Sequence, residues 1–139
     1  DFANAGYLKN NGEGGLEDYA GREYVMDLPI IGKDPVMVED GIPGLESKYA
    51  GYSKWQPYTY YQLLSFVLVA RALDKVYDLD MSEFLRHGDI ANSRVDPGPH
   101  LPTAFLIDLV ESNEDIFSVA WLNAYKANPR WIEDHPEAR

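Results

Sequence analysis

His87-Gly-Asp-Ile-Ala-Asn-Ser-Arg-Val-Asp-Pro-Gly-Pro99 says more about fold and chemistry than any other stretch of the chain. His87 is followed nine residues later by Asp96, which Pro97 and Gly98 hold in a turn. An imidazole and a carboxylate on one short, stiff loop supply two of the three protein ligands of a catalytic zinc site, whose fourth position is left to water. Residue by residue, the same pattern also reads as a hydrogen-bonded histidine and an ordinary Asp-Pro-Gly turn, so spacing alone leaves both open.

Composition bounds the function. At 139 residues the chain has the length of one domain and enough material for a real core without disulfides. It contains no cysteine, which excludes thiolate zinc ligands. A net charge of −11 argues against nucleic acid or an anionic membrane as partner. No apolar run approaches the length of a transmembrane segment, and no signal peptide is visible.

Outward from the loop, the clearest helix starts at Thr59, where Thr59 and Gln62 form a capping box. Leu63, Phe66, Val67, Ala70, Leu73 and Tyr77 then recur at three- and four-residue spacing, which predicts a helix to about Val76. A short buried strand is expected near Phe84-Leu85-Arg86, delivering His87 at its end. Residues 103–112 and 114–127 read as two further helices, with Asn128-Pro129 ending the second and residues 129–139 forming a tail. Upstream, residues 1–8 read as a strand end with a turn at Asn4-Ala5-Gly6. Residues 9–54 form a long irregular region with β-like runs at 23–31 and 35–39 around Gly32-Lys33-Asp34-Pro35.

Three segments carry a family resemblance. The 87–99 segment resembles His-Ser-Asp-Ile-Ala-Pro-Gly-Arg-Lys-x-Asp-Pro-Gly-Pro of the zinc-dependent N-acetylmuramoyl-L-alanine amidases, the AmpD-like and phage-lysozyme-like enzymes related to peptidoglycan recognition proteins. Asp1-Phe-Ala-Asn-Ala-Gly-Tyr-Leu8 looks like the family's Ile-Gly-Ile-Glu-x-x-Asn-Ala-Gly-x-Leu entered at the glutamate. Trp55-Gln-Pro-Tyr-Thr59 is similar to the Trp-x-Pro-Tyr/Phe-Thr that precedes the family's long helix. The matches come in the family's order and span roughly residues 1–102.

The resemblance implies an α/β fold with a mixed central sheet flanked by helices, of which residues 1–128 form the C-terminal portion. It implies an enzyme that hydrolyses the amide between N-acetylmuramic acid and L-alanine in peptidoglycan or muropeptides. His87 and Asp96 would be zinc ligands, and Asp89 a loop-fixing acceptor. Asp1 takes the place of the glutamate that acts as general base, one methylene shorter, and reads otherwise as a strand-end residue. Arg94 stands two before Asp96, where the family has a lysine that stabilises the oxyanion; read alone, it is a solvated loop arginine. Asn4, Tyr7, Trp55 and His100 would lie on the substrate side, Tyr7 and Trp55 as cleft walls and His100 on a surface loop. His135 is given no role. The expected setting is extracytoplasmic (periplasmic, secreted or virion-associated), with cytoplasmic muropeptide recycling as the other possibility.

The family's remaining zinc ligand is a histidine on an early strand, and no histidine occurs here before His87. The expectation is a processed chain completed by an N-terminal fragment or companion chain that carries that ligand and the early strands. Without them Phe2, Leu8 and the apolar face of the 59–77 helix would lie open to water. A chain cut from a longer polypeptide would look the same. The rival readings are a metal-free peptidoglycan-binding module or an architectural part of a virion or cell-wall-degrading particle.

Overall fold

Thr59 and Gln62 start the longest element as a reciprocal pair. The Thr59 hydroxyl accepts from the Gln62 amide at 3.2 Å, and the Gln62 side chain accepts from the Thr59 amide at 2.8 Å. The computed structural model describes residues 6–18, 20–24, 36–37, 54–91, 96–98, 100–112 and 114–139. Helix α1 (Tyr60–Tyr77) follows the capping pair and ends at Asp78, whose left-handed backbone (φ 52°) breaks the helical path while its amide still bonds the Asp74 carbonyl.

The buried stripe of α1, Leu63 and Val67, packs in one apolar cluster with Leu106, Leu109 and Val110 of α3 (Thr103–Glu111) and Leu122 and Tyr125 of α4 (Ala120–Ala127). The α1–α3 contact carries a polar clamp. The Arg71 guanidinium donates through Nη2 to the carbonyls of Leu109, Ser112 and Glu114 at 2.6, 2.9 and 3.1 Å. Carbonyls at a helix end have no partner within the helix, so an arginine from a neighbouring helix satisfies them.

Two boundaries differ from expectation. The helix predicted over 114–127 begins only at Ala120. Asp115 accepts from the Phe117 amide through its side chain and from the Ser118 amide through its carbonyl, and this local turn competes with helix. Residues 129–139 do not trail from the core. They form two 3₁₀ turns, Pro129–Asp134 and Pro136–Ala138, and Ile132 and Ala138 are fully buried in the helical cluster.

The strand side is smaller. Strands β1 (Tyr7–Asn10), β2 (Leu16–Asp18), β3 (Val36–Met37) and β4 (Lys54–Trp55) lie in the order β2-β1-β4-β3. All three pairings are antiparallel. The chain is thus a mixed α/β protein with a small antiparallel sheet and helices; parallel pairing, expected of a mixed central sheet, is not found among the described residues. Beyond β2 the chain turns on Asp18, a buried carboxylate that accepts from the Ala20 and Arg22 amides and from Arg22 Nε at 2.9, 3.0 and 2.7 Å. Burial works against the charge, but the bonds from the Arg22 backbone and side chain prevail and hold this carboxyl below its ordinary range. Leu8, Leu16 and Tyr24 form a separate cluster beneath the hairpin, so Leu8 is shielded rather than open to water.

The strand expected from residue 1 starts only after Gly6, and residues 1–5 lie outside the described residues. Of the β-like runs at 23–31 and 35–39, the described parts are a single bridge from Glu23 to Glu17 and strand β3.

Residues 84–86 form no strand, contrary to expectation. Asp80 instead caps a 3₁₀ turn at Met81–Glu83 by accepting from the Ser82 amide and hydroxyl. Phe84 then packs edge-on against Phe66, and Leu85 stays exposed. Between α1 and this turn lies an apolar groove of about 440 Å³, lined by residues including Phe66, Val69, Leu73, Leu79, Met81 and Phe84. Leu68, Val76 and Tyr77 of α1 are also exposed. No helix among the described residues is long and apolar enough to cross a membrane.

Candidate functional site

His87 opens a one-turn helix, α2 (His87–Ile90), rather than ending a strand. Arg86 and Asp89 explain why so short a helix forms. The Asp89 carboxylate accepts from the Arg86 amide at 2.9 Å and pairs with the Arg86 guanidinium at 2.7 Å, closing the turn from outside. The hydrogen bonds from Arg86 keep the Asp89 carboxyl below the ordinary carboxylate range. Asp89 is therefore the loop-fixing acceptor that the sequence suggests.

The turn carrying Asp96 returns to α2. The Gly88 amide donates to the Asp96 carbonyl at 3.0 Å, and His87 Nδ1 lies 2.9 Å from Asp96 Oδ2. A carboxylate accepts, so the bond is made with the proton on Nδ1. Both side chains are well exposed, 46% for His87 and 59% for Asp96, so solvent and a ligand reach the pair.

The turn is fixed from below. The Tyr58 hydroxyl donates to the Pro97 carbonyl at 2.5 Å, and the Tyr125 hydroxyl donates to the Tyr58 carbonyl at 2.7 Å. Burial, and after it the charge of Asp96, push the Tyr58 hydroxyl well above the ordinary phenol range, so it stays a neutral donor. Gly98 has a φ of 92°, and a Cβ built there would sit 2.1 Å from Cζ2 of Trp55. The indole packs against the turn at Gly98, and Tyr7 meets it edge-on with ring centroids 4.6 Å apart.

The sequence candidates separate into three groups. His87 and Asp96 are brought together. Tyr7 and Trp55, each 3% exposed, are floor beneath the turn rather than walls of a cleft. His100 is 1% exposed and cannot present its ring to a substrate; the backbone after the Asp-Pro-Gly turn passes directly into the core ahead of α3, between buried Gly98 and buried Leu101. Asp1, Asn4 and Arg94 lie outside the described residues. Sequence reading missed the part played by Tyr58 and Tyr125. The signal for Tyr58 was present, inside Trp55-Gln-Pro-Tyr-Thr59, but served only to place a helix start.

No protein-family model, curated protein or solved structure matches this chain.

The donors suit zinc in kind, a neutral imidazole and a carboxylate. Ligand atoms at about 2.0–2.2 Å from a tetrahedral zinc are about 3.3–3.6 Å from each other. Nδ1 and Oδ2 lie 2.9 Å apart, so for both to hold zinc the proton between them would be lost and the carboxylate would swing away from the ring. The pair thus fits two positions of a zinc site. Among the described residues no group of three or more His, Cys, Asp or Glu converges to complete one.

Proposed function

We propose that this chain contributes the His87–Asp96 half of a zinc-dependent N-acetylmuramoyl-L-alanine amidase site. The substrate is the amide between N-acetylmuramic acid and L-alanine in peptidoglycan or a muropeptide. The observation that supports the reading is the 2.9 Å pairing of the two side chains that the 87–99 segment singles out, on an exposed turn braced from the core. Zinc held by such a pair supplies Lewis-acid activation of water and of the scissile carbonyl. In this reading Asp1 accepts a proton from the attacking water, and Arg94 donates to the oxyanion that develops on the amide oxygen. The third zinc ligand comes from an N-terminal segment or companion chain. The exposed apolar flank of α1 is consistent with such a partner, because a face of that kind is stabilised by about 25 cal/mol per Å² on burial. The setting proposed is extracytoplasmic.

The test is zinc content together with release of stem peptide by the native protein and its companion. The expected result is about one zinc per complex, with activity abolished in His87→Ala and turnover reduced roughly a hundredfold in Arg94→Ala. Undiminished stem-peptide release by His87→Ala, or failure of added zinc to bind or to support activity, would sink the amidase reading. A metal-free protein that still retains peptidoglycan would move it to a binding module.

A further inference from the structure

Asp96 sits on an exposed turn, yet its partner distance to His87 is that of a good hydrogen bond. Exposed side chains with free rotamers do not hold such a distance by themselves, so something must fix the backbone on which they stand. On the His87 side this is the Arg86–Asp89 closure. On the Asp96 side the Gly88 amide holds the Asp96 carbonyl, and Tyr58 ties the turn to the helical core.

We infer that Tyr58 is the positioning residue of the His87–Asp96 pair. Its hydroxyl holds the Pro97 carbonyl, one residue from Asp96, while its own carbonyl is held by Tyr125 of α4. Tyr58 also immediately precedes the N-cap of α1, so the turn is tied to the start of α1 and, through Tyr125, to the last turn of α4. Trp55 also supports the turn through Gly98, but by contact and not by a hydrogen bond. Without the Tyr58 hydroxyl the turn keeps its Gly88–Asp96 backbone bond but loses its hydrogen bond to the core, and the Asp96 side chain drifts from His87. The inference rests on the amidase reading only for the word zinc; the positioning of the pair stands on geometry alone.

The experiment compares wild-type protein with Tyr58→Phe and Tyr125→Phe. The first readout is NMR of the metal-free protein, following the hydrogen-bonded Nδ1 proton of His87. The second is zinc affinity by competition with a chelator. Tyr58→Phe is expected to fold, to lose the Nδ1 proton signal by exchange with water, and to bind zinc about tenfold more weakly, the lower end of what loss of a residue supporting metal ligands costs. Tyr125→Phe, which loses a buried hydrogen bond of the same type, is expected to be less stable but to keep the signal. A folded Tyr58→Phe that retains both the signal and the wild-type affinity would overturn the inference. Loss of the signal in both variants would also overturn it, because that is the mark of general loosening. If the wild type binds no zinc, the amidase reading falls and the Nδ1 signal alone decides the positioning. If Tyr58→Phe does not fold, the wild type decides. A slowly exchanging Tyr58 hydroxyl proton with a through-space contact to Gly98 supports the inference, and a rapidly exchanging one refutes it.

Discussion

The helical side and the strand side of this molecule are held by different means. On the helical side, α1, α3, α4 and the two C-terminal 3₁₀ turns share one apolar cluster, and Arg71 and Tyr125 add polar ties between elements far apart in sequence. On the strand side, β1 and β4 reach that same cluster through Tyr7 and Trp55, while Leu8, Leu16 and Tyr24 form a separate cluster of three beneath strands of two to four residues. The His87–Asp96 pair belongs by position to neither. Its turn takes restraint from both, through Tyr58 from the helices and through Trp55 of β4 from the sheet. The difference teaches where restraint at the site originates: the turn beneath an exposed pair is hydrogen-bonded to a buried tyrosine that immediately precedes the cap of α1.

The sharpest challenge to this contrast is a pair of cavities. Leu122→Ala, at a fully buried position of α4, is expected to cost about 3–4 kcal/mol and to lower one cooperative thermal transition. Leu16→Ala, in the three-residue cluster, is expected to cost less, about 2 kcal/mol, with hydrogen exchange accelerated in β1 and β2 and little changed in α3. Equal costs for the two would show one continuous core and remove the distinction.

Gly98→Ala probes the seam. The added methyl meets the Trp55 ring and the backbone is left-handed, so a loss of about 2–3 kcal/mol is expected, measured by denaturant unfolding. If the helical restraint through Tyr58 dominates, zinc binding falls less in Gly98→Ala than in Tyr58→Phe. Arg71→Ala tests the ties within the helical side. It should cost about 2 kcal/mol, because the carbonyls at the end of α3 lose a charged donor, and Arg71→Lys should recover only part of it.

The smallest effect carries a sign. Asp18 has a carboxyl held below its ordinary value in the folded state, so the stability it contributes is present above the unfolded pKa of about 3.9 and is lost as pH falls through the lower folded value. Asp18→Asn is therefore expected to destabilise by about 1 kcal/mol at pH 7, with the difference from wild type shrinking below about pH 4. A gap that stays constant down to pH 2 would mean that the carboxylate charge contributes nothing.

Local rules written in adjacent residues were readable in advance. The Thr59–Gln62 capping box and the spacing of Leu63 and Val67 give α1 correctly, and Asn128-Pro129 ends α4 where the structure ends it. The 87–99 segment pointed to the two residues that do meet, His87 and Asp96. What failed depended on partners distant in sequence. Phe84-Leu85-Arg86 has strand-like composition but no neighbouring strand among the described residues, and the Arg86–Asp89 pairing starts a helical turn instead. His100 follows a Pro-Gly turn, a surface signature, yet the chain dives into the core immediately afterwards. Tyr7 and Trp55 read as aromatics near the site, but nothing in their sequence neighbours says that they lie beneath it rather than beside it. Tyr58 escaped notice because its hydroxyl acts on a carbonyl 39 residues away.

The contact between Gly98 and Trp55 has a consequence for how this sequence can change over time. A side chain at 98 and a full indole at 55 compete for the same space. The two positions are therefore expected to vary as a unit: a relative that carries any larger residue at 98 should carry something smaller than tryptophan at 55, and a lineage that keeps the tryptophan should keep the glycine.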